Sequence, residues 1–279
     1  VETVKIASVV LLPEDGKAVP MSRYFDVRLT SPYDKTLAKI ESLTKKAATQ
    51  GAKIVSFQES AILIPEEDQD QLREQFQSIA NEHNVYLSIT YAYFGKEGKG
   101  ENIQLFIDET GRIQLDYTKR YLLGIGSFGE TGVFKKGPEI IQSLETPYGT
   151  IGISICRDMS FPKYMRQAAK SDVDIMLSPS YDWPRSNGPW YITNTIENGF
   201  SLVRPTYNGY SYASDYHGKE IAHMNFSESK DGILYAEVPT KGVKAIYPVI
   251  GDVLGWMSML VMFGMIGWAV FGEKKVGED

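Results

Sequence analysis

The fold of this chain is decided by the stretch Gly149-Thr150-Ile151-Gly152-Ile153-Ser154-Ile155-Cys156-Arg157-Asp158-Met159-Ser160-Phe161-Pro162. Its first half is apolar and rich in β-branched residues, which predicts a buried strand, and its second half is polar and compatible with a helix. Cys156, the only cysteine of the 279 residues, stands at the junction. A thiol there projects from the end of a buried strand towards backbone N–H groups that stabilise a thiolate or an oxyanion. The alternative for a lone cysteine is a buried structural role.

Two upstream stretches supply the charged residues that a thiol nucleophile needs. The first is Lys53-Ile54-Val55-Ser56-Phe57-Gln58-Glu59-Ser60, which reads as a strand that ends at Glu59. The second is Tyr117-Thr118-Lys119-Arg120-Tyr121-Leu122, which contains Lys119. Acyl transfer through a thiol requires a base and an oxyanion stabiliser, and no histidine is near these stretches. A carboxylate must therefore act as the base, and Glu59 and Lys119 could take part in such chemistry, although each alone could be a solvated surface residue.

In this order the three stretches resemble the glutamate, lysine and cysteine motifs of the nitrilase, or carbon–nitrogen hydrolase, superfamily. The cysteine motif matches in Cys156, Asp158 and Phe161-Pro162, and the resemblance extends over residues 3–240. It implies an α/β fold, a four-layer α-β-β-α sandwich, with Glu59, Lys119 and Cys156 as the catalytic residues.

The resemblance also implies supporting residues around this set. Glu130 resembles a second glutamate that orients the lysine in this family. The backbone N–H of Arg157 would hold the oxyanion together with Lys119. Asp158 would position the loop after the nucleophile, and it could equally be a simple acid at a helix N-terminus.

A further segment follows the strand after the nucleophile and resembles part of the family's substrate pocket. It contains Tyr181 and Trp183, and Trp183 could equally be a core residue. Elsewhere the pattern predicts a helix over 66–84, a loop over 124–137 and a strand over 202–212. The alternation of strands and helices along the chain is typical of a layered α/β fold.

The C-terminal region carries a second strong signal, since Leu254 to Phe271 reads LGWMSMLVMFGMIGWAVF without a charged residue. This length and uniform apolarity predict a transmembrane helix, with Trp256 and Trp268 near its two ends as interface anchors. The alternative is a buried helix of a soluble protein. Lysines precede and follow the run, so the charges do not fix its orientation. We divide the chain into a catalytic domain over 1–245, a transmembrane helix over 246–272 and a charged tail over 273–279.

The composition excludes several other classes of function. The net charge of −6 without a basic tract argues against nucleic-acid binding. The single cysteine excludes an intrachain disulfide. His83, His217 and His223 are scattered without the spacing of metal ligands, and no glycine-rich phosphate loop is evident, so we expect no metal and no cofactor.

A nitrilase-type domain followed by one hydrophobic helix resembles the apolipoprotein N-acyltransferase branch of the superfamily. Glu197-Asn198-Gly199-Phe200, Val203-Arg204 and Tyr207-Asn208-Gly209 resemble a stretch that this branch shares with amidases, whereas Gln58 stands where a proline is common. The resemblance implies a cell-membrane enzyme with its catalytic domain on the extracytoplasmic side. Its partners would be a phospholipid acyl donor and the N-terminal amine of a lipoprotein.

Two alternatives remain open from the sequence. The first is an amidase or nitrilase that hydrolyses a small amide or nitrile, since no residue decides whether water or an amine discharges the thioester. The second is a catalytically inactive, membrane-tethered binding domain. The intact set of Glu59, Lys119 and Cys156 counts against this second alternative.

Overall fold

The computed structural model describes residues 1–12, 33–96, 98–124, 129–182, 188–226 and 232–272. Its strands are β1 (Thr3–Val9), β2 (Ile54–Phe57), β3 (Ile62–Pro65), β4 (Tyr86–Phe94), β5 (Glu101–Ile107), β6 (Ile113–Thr118), β7 (Gln142–Thr146), β8 (Gly149–Ile153), β9 (Ile175–Leu177), β10 (Ser180–Tyr181), β11 (Ser201–Arg204), β12 (Thr206–Tyr207), β13 (Tyr210–Ser214), β14 (Glu220–Asn225) and β15 (Ile233–Pro239). Its helices are α1 (Asp34–Thr49), α2 (Gln69–His83), α3 (Glu130–Val133), α4 (Pro162–Lys170), α5 (Ile192–Asn198), α6 (Tyr247–Ile250) and α7 (Val253–Gly272). Short 3₁₀ segments cover Glu66–Asp68 and Cys156–Ser160.

The first sheet has the strand order β15-β1-β2-β4-β5-β6, and the short β3 also pairs with β4. Its central strands β1, β2 and β4 are parallel, whereas β5 and β6 are added antiparallel. The register sets Ile54 opposite Ile6 on one side and opposite Tyr86 on the other. Central parallel strands are covered on both faces, which explains why every residue of β2 is buried.

The second sheet has the strand order β14-β13-β11-β9-β8-β7. Its centre is again parallel, with Leu177 of β9 opposite both Ile153 of β8 and Val203 of β11. A separate parallel pair, β10 with β12, follows β9 and β11 along the chain. Both sheets therefore have parallel central strands whose carboxyl ends can carry a site.

Three buried apolar clusters arrange these elements in layers. Phe76 of α2 belongs to the cluster between the first sheet and helices α1 and α2. Ile6 and Ile153 belong to the cluster between the two sheets. Met165 of α4 and Met176 of β9 belong to the cluster on the outer face of the second sheet. The order of the layers is thus α-β-β-α, the layered arrangement that the family resemblance implies.

Local sequence signals set several of the element ends. Helix α2 ends at Asn84, which adopts the left-handed conformation that asparagine tolerates at a helix C-terminus (φ 51, ψ 51). Helix α4 begins with Pro162, whose missing N–H is not needed in the first turn. The helix predicted over 66–84 begins later, at Gln69, because a tighter 3₁₀ turn forms its first three residues.

Two predicted segments differ from the structure. The strand predicted over 202–212 is divided into β11, β12 and β13, because Pro205 cannot donate a ladder hydrogen bond and Asn208 has a positive φ of 61°. The loop predicted over 124–137 contains the short helix α3 at its centre, and residues 125–128 of it lie outside the described residues.

The helix predicted over 246–272 is also divided, into α6 and α7. Gly251 lies between them with a φ of 57°, and a Cβ there would lie 1.9 Å from a guanidinium nitrogen of Arg166. The longer helix α7 has an 18-residue window, Val253–Val270, with a mean hydropathy of 1.8 and none of it buried among the described residues. Trp256 and Trp268 are exposed. The window is therefore long and apolar enough to cross a membrane, by length and composition.

Candidate active site

Strands from both sheets bring their carboxyl ends together at one end of the sandwich. Glu59 follows β2 in the first sheet, and Cys156 follows β8 in the second. Lys119 follows β6, which runs parallel to β4 because two antiparallel steps separate them. Asn102 enters at the same end because β5 runs in the opposite direction. Residues far apart in sequence thus converge where parallel strands end.

The ammonium group of Lys119 is buried between two carboxylates. Its Nζ lies 2.6 Å from Oε1 of Glu59 and 2.8 Å from each carboxylate oxygen of Glu130. Oε2 of Glu130 also accepts a hydrogen bond from the backbone N–H of Leu123 at 2.7 Å. Lys119 and Glu59 are each 2% exposed. Buried charges persist only when they are paired with an opposite charge and hydrogen-bonded. Here each charged group has an opposite charge and a hydrogen bond.

Asn102 links the two carboxylates and was not predicted from the sequence. Its Nδ2 donates to Oε1 of Glu59 at 2.9 Å and to Oε1 of Glu130 at 3.4 Å. Its backbone carbonyl accepts the N–H of Lys119 at 2.9 Å. No motif marks this asparagine, because only the antiparallel course of β5 brings it to the site.

Cys156 occupies a tight turn shortly after β8. Its φ is 50°, a left-handed conformation that costs of order 1–3 kcal/mol for a residue other than glycine and tends to occur at functional sites. Its backbone N–H donates to the carbonyl of Pro179 at 2.8 Å, and its Sγ lies 3.9 Å from the carbonyl oxygen of Tyr181. The Cys156 side chain is also among the hydrogen-bonding groups that act on Glu59. The structure therefore brings together Glu59, Lys119 and Cys156.

Burial and charge set the protonation states of these three groups. Burial and, second to it, the Glu59 carboxylate raise the pKa of the Cys156 thiol to about 12 against the opposing charge of Lys119. Burial likewise raises the pKa of Glu59, which makes its carboxylate a stronger base. Burial alone would lower the pKa of Lys119, but the Glu130 and Glu59 carboxylates hold that pKa well above its usual value. The resting site thus combines a protonated thiol, a fixed cation and a basic carboxylate.

Asp158 ties the nucleophile turn to the segment that carries Lys119. Its Oδ2 accepts from the Tyr117 hydroxyl at 2.6 Å and from the N–H of Ile155 at 2.9 Å, and its Oδ1 accepts from the N–H of Tyr121 at 2.7 Å. Burial raises the pKa of Asp158 to about 6 in spite of these hydrogen bonds. Asp158 also lies in the first turn of the 3₁₀ segment Cys156–Ser160. Its place is compatible with both predictions, a residue that positions the loop and an acid at a helix N-terminus.

The remaining predicted residues lie in different environments. Arg157 is half-buried and directly follows Cys156 in the nucleophile turn. The ring of Tyr181 is buried and stacks on that of Tyr207, with 5.2 Å between the centroids, while its N–H donates to Oε2 of Glu59 at 2.8 Å. Tyr181 therefore reaches the site through its main chain. Trp183 lies outside the described residues.

Gly137 offers a test of how closely the main chain around Lys119 is packed. Its N–H donates to the carbonyl of Lys119, and a Cβ at this position would lie 1.9 Å from the carbonyl oxygen of Thr118. We expect Gly137→Ala to lower the free energy of unfolding by about 1–3 kcal/mol and to reduce turnover, because the backbone of Lys119 must shift. Urea unfolding and an activity assay measure both effects. Gly98→Ala is the control, since a Cβ there meets nothing within 4 Å; equal losses in both variants would contradict the account.

The protonation state of Cys156 can be measured directly, because it is the only cysteine of the chain. With a pKa raised to about 12, the resting thiol should show no thiolate absorbance in the ultraviolet at neutral or mildly alkaline pH. The measurement is the difference spectrum between the wild-type protein and Cys156→Ser over a pH series below the titration of tyrosine. Thiolate formation near neutral pH would show that the cysteine is activated before substrate binds.

Ligand-type side chains also meet on the surface, away from this site. Ligand atoms of Glu41 on α1 and of Glu82 and His83 on α2 lie within 4.8 Å of one another. Sequence spacing did not reveal this group because its members belong to two helices. Both glutamates are exposed, and the histidine is half-buried.

The comparisons with known proteins agree with this geometry. The carbon–nitrogen hydrolase family model matches residues 28–247, and the chain belongs to this family. It is similar to the citrullinase of Francisella tularensis, with 27% identity over 72% of this chain and 82% of the relative. It is also similar to the deaminated glutathione amidase of Dictyostelium discoideum, with 26% identity over 54% of each chain. The chain thus spans about half the length of the second relative.

Solved structures show the same fold at lower sequence identity. An amidase from Nesterenkonia sp. superimposes with a TM-score of 0.67 and 19% identity over 85% of this chain and 91% of that one. A mutant of that amidase shows the result of Michael addition of acrylamide at its active-site cysteine. The fold of this chain is therefore the mixed α/β fold of the nitrilase superfamily.

Proposed function

We propose that this protein is an amidase that cleaves a carbon–nitrogen bond through a thioester on Cys156. The single observation that carries the proposal is the buried contact of Lys119 with Glu59 and Glu130 beside the strained cysteine. The amidases among the relatives and the solved structures support the same reaction class. A purely binding domain would have no need of a costly buried lysine between two carboxylates.

In the first half of the proposed reaction, the Glu59 carboxylate takes the thiol proton as the sulfur attacks the carbonyl carbon of the amide. The carbonyl π electrons move to the oxygen, and the resulting oxyanion is held by Lys119 and by the backbone N–H of Arg157. The carbon–nitrogen bond then breaks, and Glu59 returns its proton to the leaving nitrogen. The products of this half are ammonia or an amine and a thioester on Cys156.

In the second half, Glu59 takes a proton from water as the water oxygen attacks the thioester carbon. The carbon–sulfur bond breaks, the proton returns to sulfur, and a carboxylic acid leaves. Glu130 and Asn102 would hold Lys119 and Glu59 in place through both halves. Asp158 would keep the nucleophile turn closed.

The experiment that tests this function offers the protein a panel of small primary amides and measures ammonia release. Hydroxylamine is then added, because it competes with water for a thioester and yields a hydroxamate. The account expects ammonia release that is unchanged or faster, with hydroxamate replacing part of the acid. Ammonia release without any hydroxamate at high hydroxylamine would contradict a thioester that is open to solvent nucleophiles, and a panel without any turnover would contradict the amidase function.

A second candidate function is favoured by one observation, the exposed apolar helix α7. If α7 crosses a bilayer, the site is held near lipid, and tethering raises the local concentration of a phospholipid acyl donor. The Cys156 sulfur would then attack a phospholipid ester, the carbon–oxygen bond would break, and the lysophospholipid would leave with the thiol proton on its oxygen. An amine, such as a lipoprotein N-terminus, would attack the thioester in place of water, which gives an amide and returns a proton to the sulfur. Both functions proceed through a thioester on Cys156, whereas the acyl donor and the acceptor differ. An assay with phospholipid donor and peptide amine acceptor distinguishes them.

The membrane part of this candidate gives a prediction of its own. The wild-type chain should stay with the membrane fraction after an alkaline wash. The double variant Leu260→Lys/Phe263→Lys should move to the soluble fraction, because each charge near the centre of a span costs about 2.5–3.5 kcal/mol. The control is Thr49→Lys/Ser78→Lys, which adds the same charges at exposed positions of α1 and α2. Recovery of the wild-type chain in the soluble fraction would overturn the membrane reading.

A further inference from the structure

Arg204 is a second buried cation near Cys156, outside the set that holds Lys119. It ends β11 and is 1% exposed. Its guanidinium lies 4.7 Å from the ring centroid of Tyr191, and its Nη2 lies 3.3 Å from Oδ1 of Asp182. A buried ion pair of this kind is often no more stabilising than apolar residues of the same size. Its presence beside a reactive cysteine therefore calls for a reason other than stability.

Arg204 contacts every second residue of the segment 178–182. Its Nη1 lies 3.4 Å from Oγ of Ser178, its Nη2 lies 2.7 Å from Oγ of Ser180, and Asp182 is the third contact. The Ser180 hydroxyl also donates to Asp182 at 2.6 Å. Alternate residues of an extended segment point to the same side. The Arg204 guanidinium therefore contacts residues 178, 180 and 182 on one side of the segment.

The residues between these, Pro179 and Tyr181, contact Cys156 and Glu59. The carbonyl of Pro179 accepts the N–H of Cys156 at 2.8 Å. The N–H of Tyr181 donates to Oε2 of Glu59 at 2.8 Å, and its carbonyl oxygen lies 3.9 Å from Sγ of Cys156. One short segment therefore touches both the nucleophile and the candidate base on one side and Arg204 on the other.

Arg204 also acts on the thiol through its charge. Burial and Glu59 raise the pKa of Cys156, whereas the cations of Lys119 and Arg204 lower it; Asp182 raises it by less than Arg204 lowers it. The removal of Arg204 and Asp182 together should therefore make the thiol harder to ionise.

We propose that Arg204, paired with Asp182, is a positioning residue that presses the segment 178–182 against Cys156 and Glu59 and supplies positive charge beside the sulfur. The inference rests on the proposed thioester chemistry, because it assigns Arg204 a role in aligning that nucleophile and that base. Arg204 has no hydrogen bond to Cys156, Glu59 or Lys119, and it acts through the contacts of Pro179 and Tyr181 and through its charge.

The test compares the wild-type protein with the double variant Arg204→Gln/Asp182→Asn. The double variant removes both charges, so no buried charge is left unpaired. The amide groups of the new side chains can still hydrogen-bond Ser178 and Ser180. We expect kcat for a primary amide to fall at least about tenfold with less than a threefold change in KM, since alignment is lost rather than substrate binding. At a fixed alkaline pH, alkylation of Cys156 by iodoacetamide should be slower than in the wild-type protein, because the thiolate is the reacting form.

Arg204→Lys keeps the charge but loses the planar fork that reaches several partners at once. In Arg204→Lys, the alkylation of Cys156 should proceed at the wild-type rate, while kcat should stay below the wild-type value. If the double variant is recovered unfolded, this lysine variant alone carries the test. A wild-type kcat in either folded variant would overturn the positioning role. A wild-type protein without amide turnover would overturn the proposed function instead, and alkylation would still report the effect of Arg204 on Cys156.

Discussion

Cys156→Ala is expected to lower the turnover of a primary amide by at least about four orders of magnitude, because no other group can form the covalent intermediate. Cys156→Ser should retain the shape of the site but lose nearly as much turnover. The serine hydroxyl is a far weaker nucleophile than the thiol because it ionises much less readily. The measurement is kcat from ammonia release, with circular dichroism to show that the sheets are intact.

The matched control for this prediction is Ser160→Ala. Ser160 ends the same 3₁₀ segment, is exposed, and shares a hydrogen bond of 2.8 Å with the hydroxyl of Tyr191. The turnover of this variant should fall by less than tenfold. If Cys156→Ala keeps more than a tenth of wild-type turnover, the nucleophile lies elsewhere.

Lys119→Met is expected to have the largest effect on stability, a loss of about 3–5 kcal/mol in the free energy of unfolding. The substitution leaves the carboxylates of Glu59 and Glu130 buried without their cation, and both accept hydrogen bonds from that ammonium. The loss should shrink as the pH falls, because burial raises the pKa of Glu59 and protonation then neutralises this carboxyl in the variant. Urea unfolding at neutral and at mildly acidic pH measures both effects.

Lys136→Met serves as the control for that experiment, since it makes the same change at an exposed lysine. Its free energy of unfolding should stay within about 0.5 kcal/mol of the wild-type value. A Lys119→Met variant that is as stable as this control would show that the Glu59 carboxyl is already protonated, which would remove Glu59 as the proposed base.

The ends of the central strands could be predicted from the sequence because their composition is unambiguous. An apolar β-branched run before Cys156 and another before Glu59 each predict a strand, and both residues lie just beyond the strand ends that the structure shows. Glu130 was also predicted to orient Lys119, and its carboxylate contacts the ammonium through both oxygens. These residues are linked to local patterns that a single sequence displays.

Other parts of the site depend on contacts between distant segments. Asn102 reaches the carboxylates only because β5 runs antiparallel to β4, and no local pattern reports that pairing. The sequence places Arg204 inside the predicted strand 202–212 without a partner, and its contacts Ser178, Ser180 and Asp182 lie more than twenty residues away. The division of the predicted strand 202–212 was marked by Pro205, whereas the positive φ of Asn208 arises only in the folded turn.

The central claim is that Cys156 carries the acyl group during turnover, and intact-mass spectrometry of the acid-quenched protein tests it most directly. The account predicts a mass increase equal to the acyl group of the amide in the wild-type protein, removed by neutral hydroxylamine and absent from Cys156→Ala. Steady turnover without any adduct under conditions where thioester hydrolysis is slow, or an adduct that persists in Cys156→Ala, would contradict it.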